Sequence, residues 1–78
     1  MWEIKNKQLV KSFQFETFEE AIVFINAVAE FCTSENHHPE IINVYNKVKL
    51  SFCTHDAGNS VTELDYKLAN LIDTLNYD

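Results

Sequence analysis

Three histidines carry most of the chemistry open to this sequence: His37, His38 and His55. An imidazole gives or takes a proton near neutral pH, its unperturbed pKa being about 6.5. Two or three together can withdraw a proton at one atom and deliver one at another, which is what the elimination of water requires. A single surface histidine usually does nothing, and a His-His pair ahead of a proline is weak by itself. The weight rests on convergence with His55. A hairpin turn centred between Asn46 and Lys47 sets His38 opposite His55, and facing residues have Cα atoms about 4.5–5.5 Å apart. Asp65 could orient one ring or hold a substrate; it could equally cap the last helix. Tyr45 could be an ordinary strand aromatic.

Other chemistries fit less well. Three histidines with an open position make a catalytic zinc site in some enzymes. Here adjacent His37 and His38 point apart if the chain is extended, and neither H-E-x-x-H nor a paired cysteine spacing occurs. Metal-free acid–base work is the preferred reading. No serine sits in a G-x-S-x-G context, and there is no glycine-rich phosphate loop.

The elements that must position these groups follow from periodicity. Trp2 to Ile4 and Leu9 to Phe15 read as strands around the turn Lys5-Asn6-Lys7, with Phe13 and Phe15 alternating with Ser12 and Gln14. Thr17-Phe18-Glu19-Glu20 matches a capping box, in which hydroxyl and carboxylate each satisfy a free backbone N–H. Phe18, Ile22, Ile25, Ala29 and Cys32 then form a helical stripe, which Phe24, Val28 and Phe31 widen. Pro39 stops the helix. Ile41 to Tyr45 and Val48 to Thr54 are two more strands, with Val48, Leu50 and Phe52 on one face. A loop around Gly58-Asn59 leads to a second capping box at Thr62 and Asp65. Leu64, Leu68, Leu71 and Leu75 form the buried stripe of the last helix. The expected fold is α+β, in the order β-β-α-β-β-α, with both helices on one face of a four-stranded antiparallel sheet.

Composition bounds the function. Seventy-eight residues make one domain, 1–78, which buries only about 60% of its unfolded surface; small domains often recover stability by oligomerisation. A homodimer or homotetramer is expected. Net charge is −6, with six scattered lysines and no arginine. Nucleic-acid binding needs clustered cations, so neither nucleic acid nor an anionic membrane is an expected partner. Cys32 and Cys53 form no C-x-x-C and read as free thiols of a reducing compartment. No secretory signal is apparent, and the apolar stretch Ala21 to Ala29 is too short to span a bilayer. A soluble cytoplasmic protein is expected.

The run Glu35-Asn36-His37-His38-Pro39-Glu40, followed by Asn43-Val44-Tyr45-Asn46-Lys47-Val48 and Thr54-His55-Asp56, resembles the pterin-4a-carbinolamine dehydratases. Weaker likeness runs from Trp2 into the first helix and down the last. The resemblance implies dehydration of 4a-hydroxytetrahydrobiopterin to quinonoid dihydropterin after aromatic amino acid hydroxylation. By motif, His37, His38 and His55 are the active-site histidines. The resemblance assigns His37 and His55 to the departing hydroxyl, and His38 to the ring as base or binding group. Asp65, Tyr45, Pro39 and Asn36 correspond to substrate-binding positions, and the resemblance implies no metal and no cofactor, the pterin being the substrate. Family members often carry a helix ahead of the tryptophan matching Trp2, which is absent here. Ile41 stands where an aromatic is common, and Leu64 where an arginine can occur. Two alternatives follow from relatives: a non-catalytic interaction or dimerisation partner, as for animal members that bind a homeodomain factor, and a role in molybdopterin metabolism.

Overall fold

A computed structural model describes residues 1–75; residues 76–78 of the expected domain lie outside the described residues. The elements are β1 (Glu3–Lys5), β2 (Gln8–Gln14), α1 (Phe18–Glu35), β3 (Glu40–Val44), β4 (Lys47–Phe52), a short 3-10 turn (His55–Ala57) and α2 (Glu63–Asp73). The four strands form one antiparallel sheet in the order β1-β2-β4-β3. This is the expected α+β order, with strand ends displaced by a residue or two.

Local chemistry sets each element. Lys5 pairs with Gln8, and Asn6 and Lys7 both take positive φ (51° and 64°), as a two-residue hairpin turn matching strand twist requires. Thr17 caps α1 by accepting from the Glu20 N–H at 3.1 Å. The Glu20 carboxylate accepts from Glu16 N–H at 3.2 Å, one residue earlier than a standard box. The helix ends at Asn36, which adopts the left-handed conformation (φ 51°); asparagine tolerates it better than most residues.

Leu9, Phe13, Val48, Leu50 and Phe52 fill the sheet's inner face. Against them α1 buries Ala21, Phe24, Val28 and Cys32, with Ile25 and Phe31 partly packed. That stripe differs from the expected one. Phe18 is 45% exposed, because Phe24 takes the central place, 4.7 Å from the Phe13 ring and 5.0 Å from Phe15. Helix α2 likewise buries Asp65, Leu68, Ala69 and Ile72, with Leu71 and Leu75 at the margin. Asp73 on α2 accepts from the Trp2 indole N–H and from Lys11 Nζ, each at 3.0 Å. The start of the chain is thus tied to the last helix.

The second hairpin corrects the expected register. Val44 pairs with Lys47 and Glu40 with Ser51, so the turn is Tyr45-Asn46 rather than Asn46-Lys47. Asn46 is held by its own contacts: its side chain donates to Phe15 O at 2.7 Å, and its carbonyl accepts from Phe15 N–H at 2.9 Å. Asn43 donates to the Tyr45 and Lys47 carbonyls. Tyr45 therefore takes the left-handed position (φ 52°). Continuing this register beyond the strands sets Cys53, not His55, across from His38.

Candidate active site

The left-handed residue Asn36 turns the chain sharply as α1 ends. His37 N–H still closes onto Cys32 O at 3.0 Å, and the next two side chains go different ways. His37 turns inward and is 8% exposed, while His38 is exposed. The ring of His37 lies nearly parallel to that of Phe52, with centroids 6.2 Å apart. His55 arrives from the end of β4. Its segment is closed by Thr54 N–H to Ser60 O (2.8 Å) and Gly58 N–H to His55 O (3.2 Å). Gly58 supplies the left-handed turn (φ 72°).

Asp65, fully buried, joins these parts. Its Oδ1 lies 2.6 Å from His37 Nε2. Its Oδ2 accepts from Thr62 N–H and from the Thr54 hydroxyl, both at 2.8 Å. Burial pushes the Asp65 carboxyl up. Hydrogen bonds from His37, Thr62 and Thr54, and the charge on His37, outweigh burial and hold it below the usual carboxylate range. An ionised Asp65 has no proton to give, so His37 Nε2–H is the donor. The other ring nitrogen, Nδ1, makes no hydrogen bond, and no buried side-chain nitrogen or oxygen among the described residues lacks a partner. Nδ1 is therefore the edge of His37 that reaches solvent.

His37, His38 and His55 line one open cleft of about 290 Å³. Asn36, Thr54, Asp56 and Leu64 complete its wall. Convergence of the histidines thus holds although the expected register does not: the 3-10 turn, rather than direct strand pairing, brings His55 across. A second cleft of about 370 Å³ shares His38 and His55 and continues past them to Gln8, Glu40, Ser51, Cys53 and Asn59. The two exposed histidines stand between the clefts.

The remaining expected residues fall as follows. Pro39 is half-buried between His38 and the start of β3. Tyr45 is 64% exposed at the β3–β4 turn, the far end of that hairpin, and is not brought to the cleft. Thr54, bonded to Asp65, and Phe52, stacked on His37, are not among the expected site residues. Thr54 belonged to the recognised Thr-His-Asp run, but its hydroxyl contact depends on how α2 docks. No group of three or more His, Cys, Asp or Glu among the described residues is arranged to hold a metal ion. No described helix is long and apolar enough to cross a membrane.

Known proteins are similar to this chain in sequence and fold. The profile of the family described as "Pterin 4 alpha carbinolamine dehydratase" matches residues 1–75. A Sulfurisphaera tokodaii protein is 45% identical over 74 residues, covering 95% of this chain and 78% of its own. A Prochlorococcus marinus protein (strain NATL2A) is 47% identical over 74 residues, covering 95% and 77%. Both are named "Putative pterin-4-alpha-carbinolamine dehydratase". A Brucella melitensis crystal structure, described as a transcriptional coactivator/pterin dehydratase, superposes with a TM-score of 0.86 at 35% identity, covering 92% of this chain and 78% of that one. A pterin dehydratase-like protein identified as a RuBisCO assembly factor in the alpha-carboxysome shares the fold, with a TM-score of 0.74 at 20% identity, covering 94% and 83%.

Proposed function

The chain belongs to the pterin 4a-carbinolamine dehydratase family, and from that premise we propose that it removes water from a pterin 4a-carbinolamine to give the quinonoid dihydropterin. The observation that carries this reading is the gathering of His37, His38 and His55 in one cleft, with His37 held by buried Asp65. Dehydration breaks the C4a–O bond, removes the N5 proton and forms a C4a–N5 double bond. His38 takes the N5 proton. His37 and His55 hold the hydroxyl and supply the proton with which it leaves as water. Asp65 suits His37 to this work. It fixes which ring nitrogen faces the cleft, and its negative charge lies against any imidazolium that forms. Asn36, at the cleft wall, and Pro39, beside His38, shape the pterin's surroundings. No metal or resident cofactor takes part, and the pterin is substrate.

The test is a hydroxylase-coupled assay that follows the ultraviolet signal of the carbinolamine. A general acid or base contributes about 10²–10⁴-fold, so His38→Ala and His55→Ala should each lose activity on that scale. A wild-type rate no faster than spontaneous dehydration would refute the reading. Activity that survives exhaustive chelation removes zinc from consideration.

The same reading includes a homo-oligomer in a reducing, cytoplasmic setting. Val44 on edge strand β3 and Val23 on α1 are 67% and 68% exposed, with Ile41 and Ile42 exposed beside Val44, and both cysteines are free thiols. A second reading is a binding role without catalysis, suggested by the coactivator and assembly-factor descriptions of the two structural neighbours. The exposed side chains of His38 and His55 make no hydrogen bond or ion pair among the described residues that would give them a structural role, which favours catalysis.

A further inference from the structure

Resting on the dehydratase reading, we propose that the second cleft holds the pyrimidine half of the pterin, with the Glu40 carboxylate accepting from its N3–H and 2-amino group. The chemistry to be recognised is explicit. The outer edge of a 2-amino-4-oxopyrimidine presents two adjacent N–H donors, flanked by acceptors at O4 and N1. Two adjacent donors match a carboxylate, which accepts through two oxygens.

The second cleft offers that set. Glu40, at the start of β3, supplies the carboxylate, and its strand partner Ser51 lies beside it. Gln8 and Asn59 bring amide donors from β2 and from the loop after β4. These face the acceptors O4 and N1. The wall they share with the first cleft is His38 and His55.

Placement follows from the reaction. C4a and N5 must meet the histidines, and both atoms lie where the pterin's two rings fuse or next to it. Each cleft alone stands near the lower end of small-molecule sites, about 300 Å³. A bicyclic ring set across His38 and His55 uses both. The hydroxyl side then faces His37 and Asp65, and the pyrimidine points to Glu40. The opposite placement would set the amino edge by Asp56 in the first cleft and the C6 substituent by Glu40. There the substituent's hydroxyls, not the amino edge, would meet Glu40, and Glu40→Gln would then weaken substrates with and without the 2-amino group alike.

Cys53 provides a readout independent of turnover. Its thiol is half-buried and free in the second cleft, whereas Cys32 is buried at 2% exposure. Iodoacetamide should label Cys53 in the folded protein. Saturating 7,8-dihydrobiopterin, with binding followed by its fluorescence, should slow that labelling roughly tenfold or more.

The kinetic arm compares Glu40→Gln with wild type on two carbinolamines, one with the 2-amino group and one without it. Loss of a contact made equally in ground and transition states raises KM and leaves kcat nearly unchanged. Glu40→Gln should raise KM for the amino substrate about tenfold, and should largely erase the wild-type preference for it. A KM change equal on both substrates, a silent Glu40→Gln, or unprotected Cys53 while dihydrobiopterin is bound would each overturn the subsite with the dehydratase reading intact. Absence of both pterin binding and turnover in wild type would overturn the two together.

Discussion

Asp65 divides its two oxygens between unlike tasks, one binding His37 and the other capping α2 and holding Thr54. Its carboxyl lies lower in the folded chain than in the unfolded one. Its contribution to stability is therefore present above the unfolded value of about 4 and is lost as pH falls through the lower folded value. Asp65→Asn should cost on the order of 3 kcal/mol at pH 7, as when one partner of a buried pair is removed. The cost should shrink progressively as pH falls below about 4, where the unfolded carboxyl takes up its proton, and on through the lower folded value. Urea unfolding at the two pH values checks this; an equal cost at both would exclude ionisation as the cause. The histidines were legible because residue type and motif sufficed to single them out. Tyr45 was not, because its place depends on a turn register that Asn43 and Asn46 fix through backbone contacts.

Elements were legible in kind and order, less so in rotation. An apolar run as broad as that of α1 offers more than one stripe, and the choice depends on which ring fits between Phe13 and Phe15. Phe24 fits there. Phe24→Ala should cost about 3–5 kcal/mol, whereas Phe18→Ala, at an exposed position, should cost about 1 kcal/mol or less. Urea midpoints of the two variants decide between the stripes, and a reversed order would restore the sequence expectation. The second hairpin gives a prediction of opposite sign. Tyr45 holds a left-handed backbone that costs a side-chain-bearing residue roughly 1–2 kcal/mol. Tyr45→Gly should raise stability by about 1 kcal/mol, less what the unfolded chain gains in freedom. A lowered unfolding midpoint would mean that the ring contributes contacts outweighing the strain.

At the scale of the whole molecule, a chain this short with apolar side chains exposed on β3 and α1 has surface to bury against copies of itself. Sedimentation equilibrium should find a dimer or tetramer, and the melting temperature should rise with protein concentration, because association stabilises only the folded state. A monomer at every concentration would contradict this. Charge was fully legible in the sequence. The exposed apolar surface was not, since neither periodicity nor composition says which apolar side chains stay uncovered once one chain has folded.

The double bonding of Asp65 bears on how this fold diversifies. A lineage that abandoned dehydration would still pay in folding for losing that aspartate, so drift would spare it. His38 and His55 enjoy no such shelter. Among distant cousins of this chain, an aspartate here would testify first to a helix that needs its first turn tied, while, on the proposed chemistry, the two surface imidazoles would be the marks by which a working hydro-lyase is told from a retired one.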